Sequence, residues 1–168
     1  LLFGVVLDYD NLQVDITLNE LLGPTDIAHH REFSVRAFPV THRGSGNFAY
    51  IFKEHDYRPF DVARAEALGV PAGPERGALV RGEAVTLTDG TVVQPEDVLG
   101  ETEPGVKLVV TGDVGRLDNV KHEIAGADVL VTEATFLQEH KEIARAHGHL
   151  TTVDAASIDK EMLVRTLL

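Results

Sequence analysis

The sequence predicts an α/β domain that carries an inserted segment, and three observations predict it. After Gly105, short continuous apolar runs alternate with amphipathic helical stretches, the pattern of helices packed on a sheet. Before Lys53, Phe33 to Val40 and Phe48 to Phe52 flank the glycine-rich loop His42-Arg43-Gly44-Ser45-Gly46-Asn47 and read as an antiparallel strand pair. Between them, Lys53 to Gly105 changes in texture and is short of large apolar side chains. It reads as an insertion without a core of its own.

The elements follow in order. Leu12 to Ile16 alternates like a strand, and Leu21-Leu22-Gly23-Pro24-Thr25 is a stop and a turn. In the next strand Phe33, Val35 and Ala37 alternate with Ser34, Arg36 and Phe38, a half-buried pattern. His29 and His30 read as loop residues. Within the insertion, Asp61 caps a helix from Val62 to Leu68 that Gly69 closes. Val70 to Gly77, with two prolines and two glycines, leaves no room for a regular element. Val85 to Val93 is a hairpin, its Asp89-Gly90 step suited to a type I′ turn, and Gln94 to Asp97 is a further turn. Then come a strand at Lys107 to Val110, a helix from Arg116 to Ala125 and a strand at Asp128 to Thr132. A helix from Phe136 to Ala146 follows, then a last one capped by Thr151 or Thr152, running through Ile158 and Met162.

Composition narrows the chemistry. The 168 residues suit one domain. Zero cysteines exclude disulfides, thiolate metal sites and cysteine nucleophiles, so any zinc must be held by carboxylates and by some of the 8 histidines. A net charge of −12 excludes a generally basic nucleic-acid surface while allowing a local basic patch. No apolar run reaches the roughly 20 residues of a membrane helix, and the start, Leu1-Leu2-Phe3, lacks the basic region and cleavage site of a signal peptide. Both ends read as cut from within a fold. No P-loop, Gly-x-Gly-x-x-Gly or Gly-x-Ser-x-Gly step is present, which leaves nucleotide-binding and serine-hydrolase readings without support.

Four residues stand where an α/β fold collects chemistry. Asp113 follows a strand in a Gly-Asp step, where the glycine lets the backbone turn and brings the carboxylate over the sheet edge. His42 ends a strand before a glycine-rich loop, a place for a neutral imidazole ligand. Glu133 ends the next strand. His149, in His147-Gly148-His149, precedes a helix N-terminus that favours an anion, where a histidine can hold a phosphate or protonate a leaving oxygen. Each also has an ordinary reading, as a helix cap, a backbone-bonded loop histidine or a solvated surface group. His122 and His140 lie among charges on helices and read as solvated.

In order and context these residues resemble ribonuclease Z, the transfer-RNA 3′-processing endoribonuclease of the metallo-β-lactamase fold. The resemblance is carried by Ala37-Phe38-Pro39-Val40-Thr41-His42 with Ala49-Tyr50, then by Ala67-Leu68-Gly69-Val70-Pro71-Ala72-Gly73-Pro74. It continues through Arg81 to Leu87, Pro95 to Gly100, Val110-Thr111-Gly112-Asp113, Glu133-Ala134-Thr135-Phe136-Leu137 and Gly148-His149-Leu150-Thr151-Thr152. It implies a partial αββα sandwich formed by residues 1–52 and 106–168, with residues 53–105 as the family's flexible arm that grips transfer RNA. It implies two zinc ions per complete site, with His42 a ligand of one and Asp113 the bridging carboxylate. It makes Glu133 and His149 the catalytic acid and histidine near the scissile phosphate. Lys53, Arg58, Arg64, Arg76 and Arg81 become candidate phosphate contacts on the arm. It also implies a cytoplasmic homodimer acting on precursor transfer RNA.

The departures are specific. The His-x-His-x-Asp-His motif and the last ligand histidine of the family are missing, Thr132 stands where the family has His, and Val114 where it has Thr. One histidine and one carboxylate cannot hold two zinc ions, so the chain by itself is expected to be inactive, the C-terminal part of such an enzyme. Two other readings are a non-catalytic RNA-binding subunit of the same fold and an enzyme acting on a small phosphodiester.

Overall fold

The computed structural model describes residues 17–44 and 46–168, so the alternating stretch from Leu12 to Ile16 and the loop residue Ser45 lie outside the described residues. A six-stranded sheet organises the fold. Its strands are β1 (Thr25–His29), β2 (Phe33–Pro39), β3 (Phe48–Glu54), β6 (Lys107–Val110), β7 (Val129–Val131) and β8 (Thr166–Leu167), side by side in that order. The short pair β4 (Val85–Thr86) and β5 (Val92–Val93) lies apart from it. β1, β2, β3 and β6 pair antiparallel, whereas β6, β7 and β8 run parallel. The parallel half needs crossover connections, which carry α4 (Lys121–Ile124) between β6 and β7 and then α5 (Lys141–His147) and α6 (Thr152–Met162) between β7 and β8.

Only one face of the sheet is fully covered. Phe38, Ala49, Ile51, Val109 and Leu130 point into a core closed from the helical side by Leu117, Val120, Ile124, Leu150, Ile158, Met162 and Val164. The register sets the opposite face: Tyr50 pairs with Val110, Phe52 with Leu108, and Val129 and Val131 continue the row. That face stays partly open, with Tyr50 36% and Phe52 39% exposed. It is one half of a layered packing, with helices on one side and an apolar sheet surface on the other.

The strand pair β2–β3 stands as expected from the alternation, except that Phe38 lies on the core side and is 1% exposed. β1 places His29 at a strand end instead of in a loop. α6 begins at Thr152, and Thr151 caps it: its hydroxyl accepts the Asp154 amide while the Asp154 carboxylate accepts the Thr151 amide. Two helices are shorter than their periodicity predicts. Residues 116–125 yield one 3₁₀ turn at Asp118–Val120 and then α4, because Gly115 and Arg116 are held by Thr41: the Gly115 amide donates to the Thr41 carbonyl at 2.6 Å. Phe136 is not helical. It exchanges backbone bonds with Leu150 and Thr152, and the helix begins at Lys141 after a 3₁₀ turn.

The insertion corrects the sequence reading most. It has its own core: Ala65, Val70, Leu79, Val93, Val98 and Leu99 are all buried, with Phe60, Val85 and Leu87 packed on them. β3 runs through Glu54, so Lys53 belongs to the sheet, and the segment leaves it as a two-legged stalk. Tyr57 and Glu103 exchange both backbone bonds, Gly100 donates to Pro59 and Asp61 to Val98. Gly105 packs directly against the other leg, since a Cβ there would clash with the Glu54 carbonyl. Beyond the stalk come α1 (Val62–Ala67), which Asp61 caps and Gly69 closes as expected, and α2 (Pro74–Val80). α2 overturns the irregular reading of residues 70–77: Pro74 occupies the first helical position, where its missing N–H costs nothing. Asp89-Gly90 does make a hairpin, but only Gly90 has positive φ. The Gly90 amide donates to Leu87 and the Leu87 amide to Thr91, a three-residue loop with a bulge in place of type I′. Pro95–Val98 is a four-residue helix, α3, where a turn was expected.

Candidate metal centre and flanking acid

Four connections converge past the ends of β2, β6 and β7, the edge where α/β sheets place ligands. His42 comes from the β2–β3 loop, Asp113 from the turn after β6, Glu133 from the end of β7 and His149 from the link between α5 and α6. Gly112, at φ 62°, makes the tight turn expected before Asp113. Gly148 ends α5 in the left-handed conformation, and a Cβ there would meet the Arg43 amide nitrogen at 3.2 Å and His42 Nδ1 at 3.3 Å. Glycine is required on both counts. It lets the His42 loop lie against the end of α5, and Arg43 ties that contact by donating Nε–H to the His147 carbonyl while its Nη2 bonds the His147 ring.

His42, Asp113 and His149 come together: one ligand atom from each lies within 4.8 Å of the others. The hydrogen bonds decide which ring nitrogens are available. His42 Nδ1 lies 2.7 Å from the Gly148 carbonyl oxygen, which can only accept, so Nδ1 carries the proton and Nε2 holds the lone pair of the neutral ring. His149 Nδ1 lies 2.7 Å from Glu133 Oε1, and the same argument leaves the lone pair on its Nε2. The two rings meet edge to face, 4.9 Å between centroids. Metal-binding histidines have this arrangement, one nitrogen fixed by a carbonyl or carboxylate and the other free for the ion.

Glu133 is well held. Oε1 also accepts the Val114 amide at 2.8 Å, and Oε2 accepts the Thr135 hydroxyl at 2.5 Å. Burial opposes its ionisation, but the bonds from Thr135, Val114 and His149 outweigh burial and hold the carboxyl below the usual carboxylate range. It therefore stays an acceptor at neutral pH and keeps the His149 ring in one tautomer.

The five arm cations are dispersed. Lys53 bonds the Gly105 carbonyl across the base of the stalk. Arg58 donates to the carbonyls of Gly100 and Leu99, and Arg76 to that of Val70. Arg64 and Arg81 pair with Asp61 and Glu83 and stay largely exposed. Sequence reading did not single out Arg43, Gly148 or Thr135. The glycine closing a helix just before a candidate histidine was a signal for Gly148 alone. His122 and His140 are exposed, as expected.

No family model matches the chain. Among curated proteins it is 44% identical over 125 residues to a ribonuclease Z of Bradyrhizobium diazoefficiens, covering 74% of this chain and 42% of that protein. It is 41% identical over 142 residues to one of Halobacterium salinarum, covering 84% and 46%. With one of Myxococcus xanthus the match runs over 167 residues at 37% identity, covering 98% and 53%. The chain thus spans about half the length of the curated relatives it matches. The crystal structure of the short form of human tRNase Z superposes with a TM-score of 0.50 at 20% identity, covering 86% of this chain and 38% of that one, a likeness of fold. The fold is accordingly metallo-β-lactamase-like, and the chain belongs to the ribonuclease Z family.

Proposed function

We propose that this chain carries part of a zinc-dependent endoribonuclease that removes 3′ trailers from precursor transfer RNA. The observation that supports the reading best is the His42–Asp113–His149 cluster with both rings locked to present Nε2. Two neutral imidazoles and a carboxylate suit zinc by chemistry. Three donors fall short of the roughly four that one zinc takes, and further short of a two-metal site, so a complete site needs ligands beyond these three. Bound metal would supply Lewis acidity and an activated water. Residues of this chain do the rest: Asp113 is the exposed carboxylate of the cluster, and Glu133 fixes the His149 ring. In this reading His149 faces the scissile phosphate or joins the ligand set, and Glu133 orients it in either case.

The arm grips the RNA in this reading, and the whole enzyme is a cytoplasmic homodimer in which one subunit's arm serves the other's site. Arg64 and Arg81 are the arm cations with exposed guanidinium groups, so each contributes about one unit to the salt slope of RNA binding. A non-catalytic RNA-binding subunit is the second reading. Thr132 favours it: where the family has a histidine, its hydroxyl is engaged with Thr111 at 2.8 Å.

Zinc titration with cleavage of a 3′-labelled precursor transfer RNA tests the proposal. Saturable zinc binding that Asp113→Ala abolishes, with the full-length protein cutting at the trailer junction, is the expected result. RNA binding without zinc uptake or cleavage would overturn it in favour of the second reading.

A further inference from the structure

A cavity of about 630 Å³ lies beside the cluster, within the roughly 300–1,000 Å³ of small-molecule sites. His42 and His149 line it, and Asp113 does not. Leu117 and Ile158, both buried core residues, give it an apolar surface. Its charged lining is mostly cationic, with Arg43, Arg116, Lys121 and Arg145 against Asp118 and Asp154. The chain as a whole carries −12, so this concentration of positive charge runs against the average surface.

The two carboxylates do not cancel it. Asp154 is engaged in the Thr151 cap at 2.7 and 3.0 Å. Arg116 meets Asp118, and Arg145 meets Glu142, at 3.5 Å and more than 60% exposed on both sides. Such pairs contribute little in water, so an incoming phosphate exchanges with them at small cost and gains a charge-assisted, often bidentate contact. An apolar surface bordered by arginines suits a nucleotide, base on the one and phosphate on the other.

We propose that this cavity seats one ribonucleotide of the RNA strand, adjacent to the scissile phosphate, with its base against Leu117 and Ile158 and its phosphate on the arginine rim. The identity of the strand rests on the nuclease reading above. The seat itself is testable without zinc or cleavage.

The test is an NMR titration of the chain with uridine 5′-monophosphate, uridine, inorganic phosphate and a ribotetranucleotide. The monophosphate should shift Arg43, Leu117, Arg145 and Ile158 saturably, at least tenfold more tightly than uridine or phosphate alone. The tetranucleotide should shift the same residues at least as tightly. Arg116→Glu and Arg145→Glu, both at exposed positions, should each weaken binding about tenfold. Equal binding of bare phosphate would reduce the seat to an anion site and overturn it. So would a tenfold preference for the free mononucleotide over the tetranucleotide, or no response to either charge reversal. A chain that takes zinc but no nucleotide refutes the seat and leaves the nuclease reading standing. Full-length protein that takes the nucleotide but binds no zinc and leaves the precursor's trailer in place keeps the seat and refutes the nuclease reading.

Discussion

The sheet edge and the inserted arm both collect charged and polar side chains, and they use them in opposite ways. On the arm, Arg58 donates to the carbonyls of Gly100 and Leu99 and Arg76 to that of Val70, so their charge holds short helices and a stalk together. At the sheet edge the hydrogen bonds stop one atom short: they satisfy Nδ1 of His42 and His149 and leave Nε2. A polar group tied to backbone through several donors stabilises structure, whereas one held firmly by a single atom is prepared for a ligand. On that contrast, Arg58 and Arg76 are held in the way structural arginines are, while His42, Asp113 and His149 are the group we propose for chemistry.

The largest effects should separate the two cores. Leu79 in the arm and Leu130 in the sheet are both fully buried. Truncating either to alanine is expected to cost about 2–5 kcal/mol. Leu130→Ala should lower the main melting transition. Leu79→Ala should remove hydrogen-exchange protection from residues 60–99 while leaving β2, β3 and β6 protected. Loss of protection in both regions from Leu79→Ala would mean that arm and sheet fold as one unit, and the comparison would break.

Next comes the acid behind the site. Glu133→Gln keeps the shape and removes the charge that fixes His149. Zinc affinity should fall roughly 10–100-fold, the usual cost of losing a partner behind a metal-binding histidine. Calorimetric titration measures it, and an unchanged affinity would separate Glu133 from the metal centre.

Much of this was legible in the sequence, for identifiable reasons. Strand alternation from Phe33, the Gly-Asp step at Asp113 and the Thr151 cap are local signals, and local chemistry decides them. The arm core was not legible, because Ala65, Val70, Leu79 and Val98 are individually modest and form a core only after α1, α2 and the hairpin close on one another. The helix at Pro74 was hidden by glycine and proline, which here supply its start. The tether of Arg43 to His147 spans 104 positions and leaves no trace in spacing. The shortened helices were overridden by tertiary contacts, Gly115 to Thr41 and Phe136 to Leu150.

The arm arginines offer a smaller and sharper test. Arg76 is 21% exposed and bonds the Val70 carbonyl, so Arg76→Ala should destabilise the arm by about 1 kcal/mol. Arg64 is 63% exposed and, among the described residues, pairs with Asp61, so Arg64→Ala should cost less than about 0.5 kcal/mol. RNA affinity should respond in the reverse sense, more to Arg64→Ala at low salt than stability does. If both substitutions destabilise equally, the division between folding and binding arginines is wrong.

The smallest effect lies at the sheet's first parallel strand. Lys107 donates Nζ–H to the Ala125 carbonyl, and burial lowers its pKa despite the nearby carboxylates of Glu123 and Asp128. In the unfolded chain the lysine keeps its ordinary pKa, so between the lowered and the ordinary value the unfolded state binds more protons. Stability conferred at this position therefore rises with pH as the lysine passes through its folded-state pKa, and levels off above about 10.4. Thermal melts of the chain and of Lys107→Met between pH 8 and 11 measure the difference. The native chain should gain on the variant as pH rises. A difference that stays flat would mean that the ammonium remains solvated, and that even the strand beneath Asp113 tolerates charge as the exposed surface of the arm does.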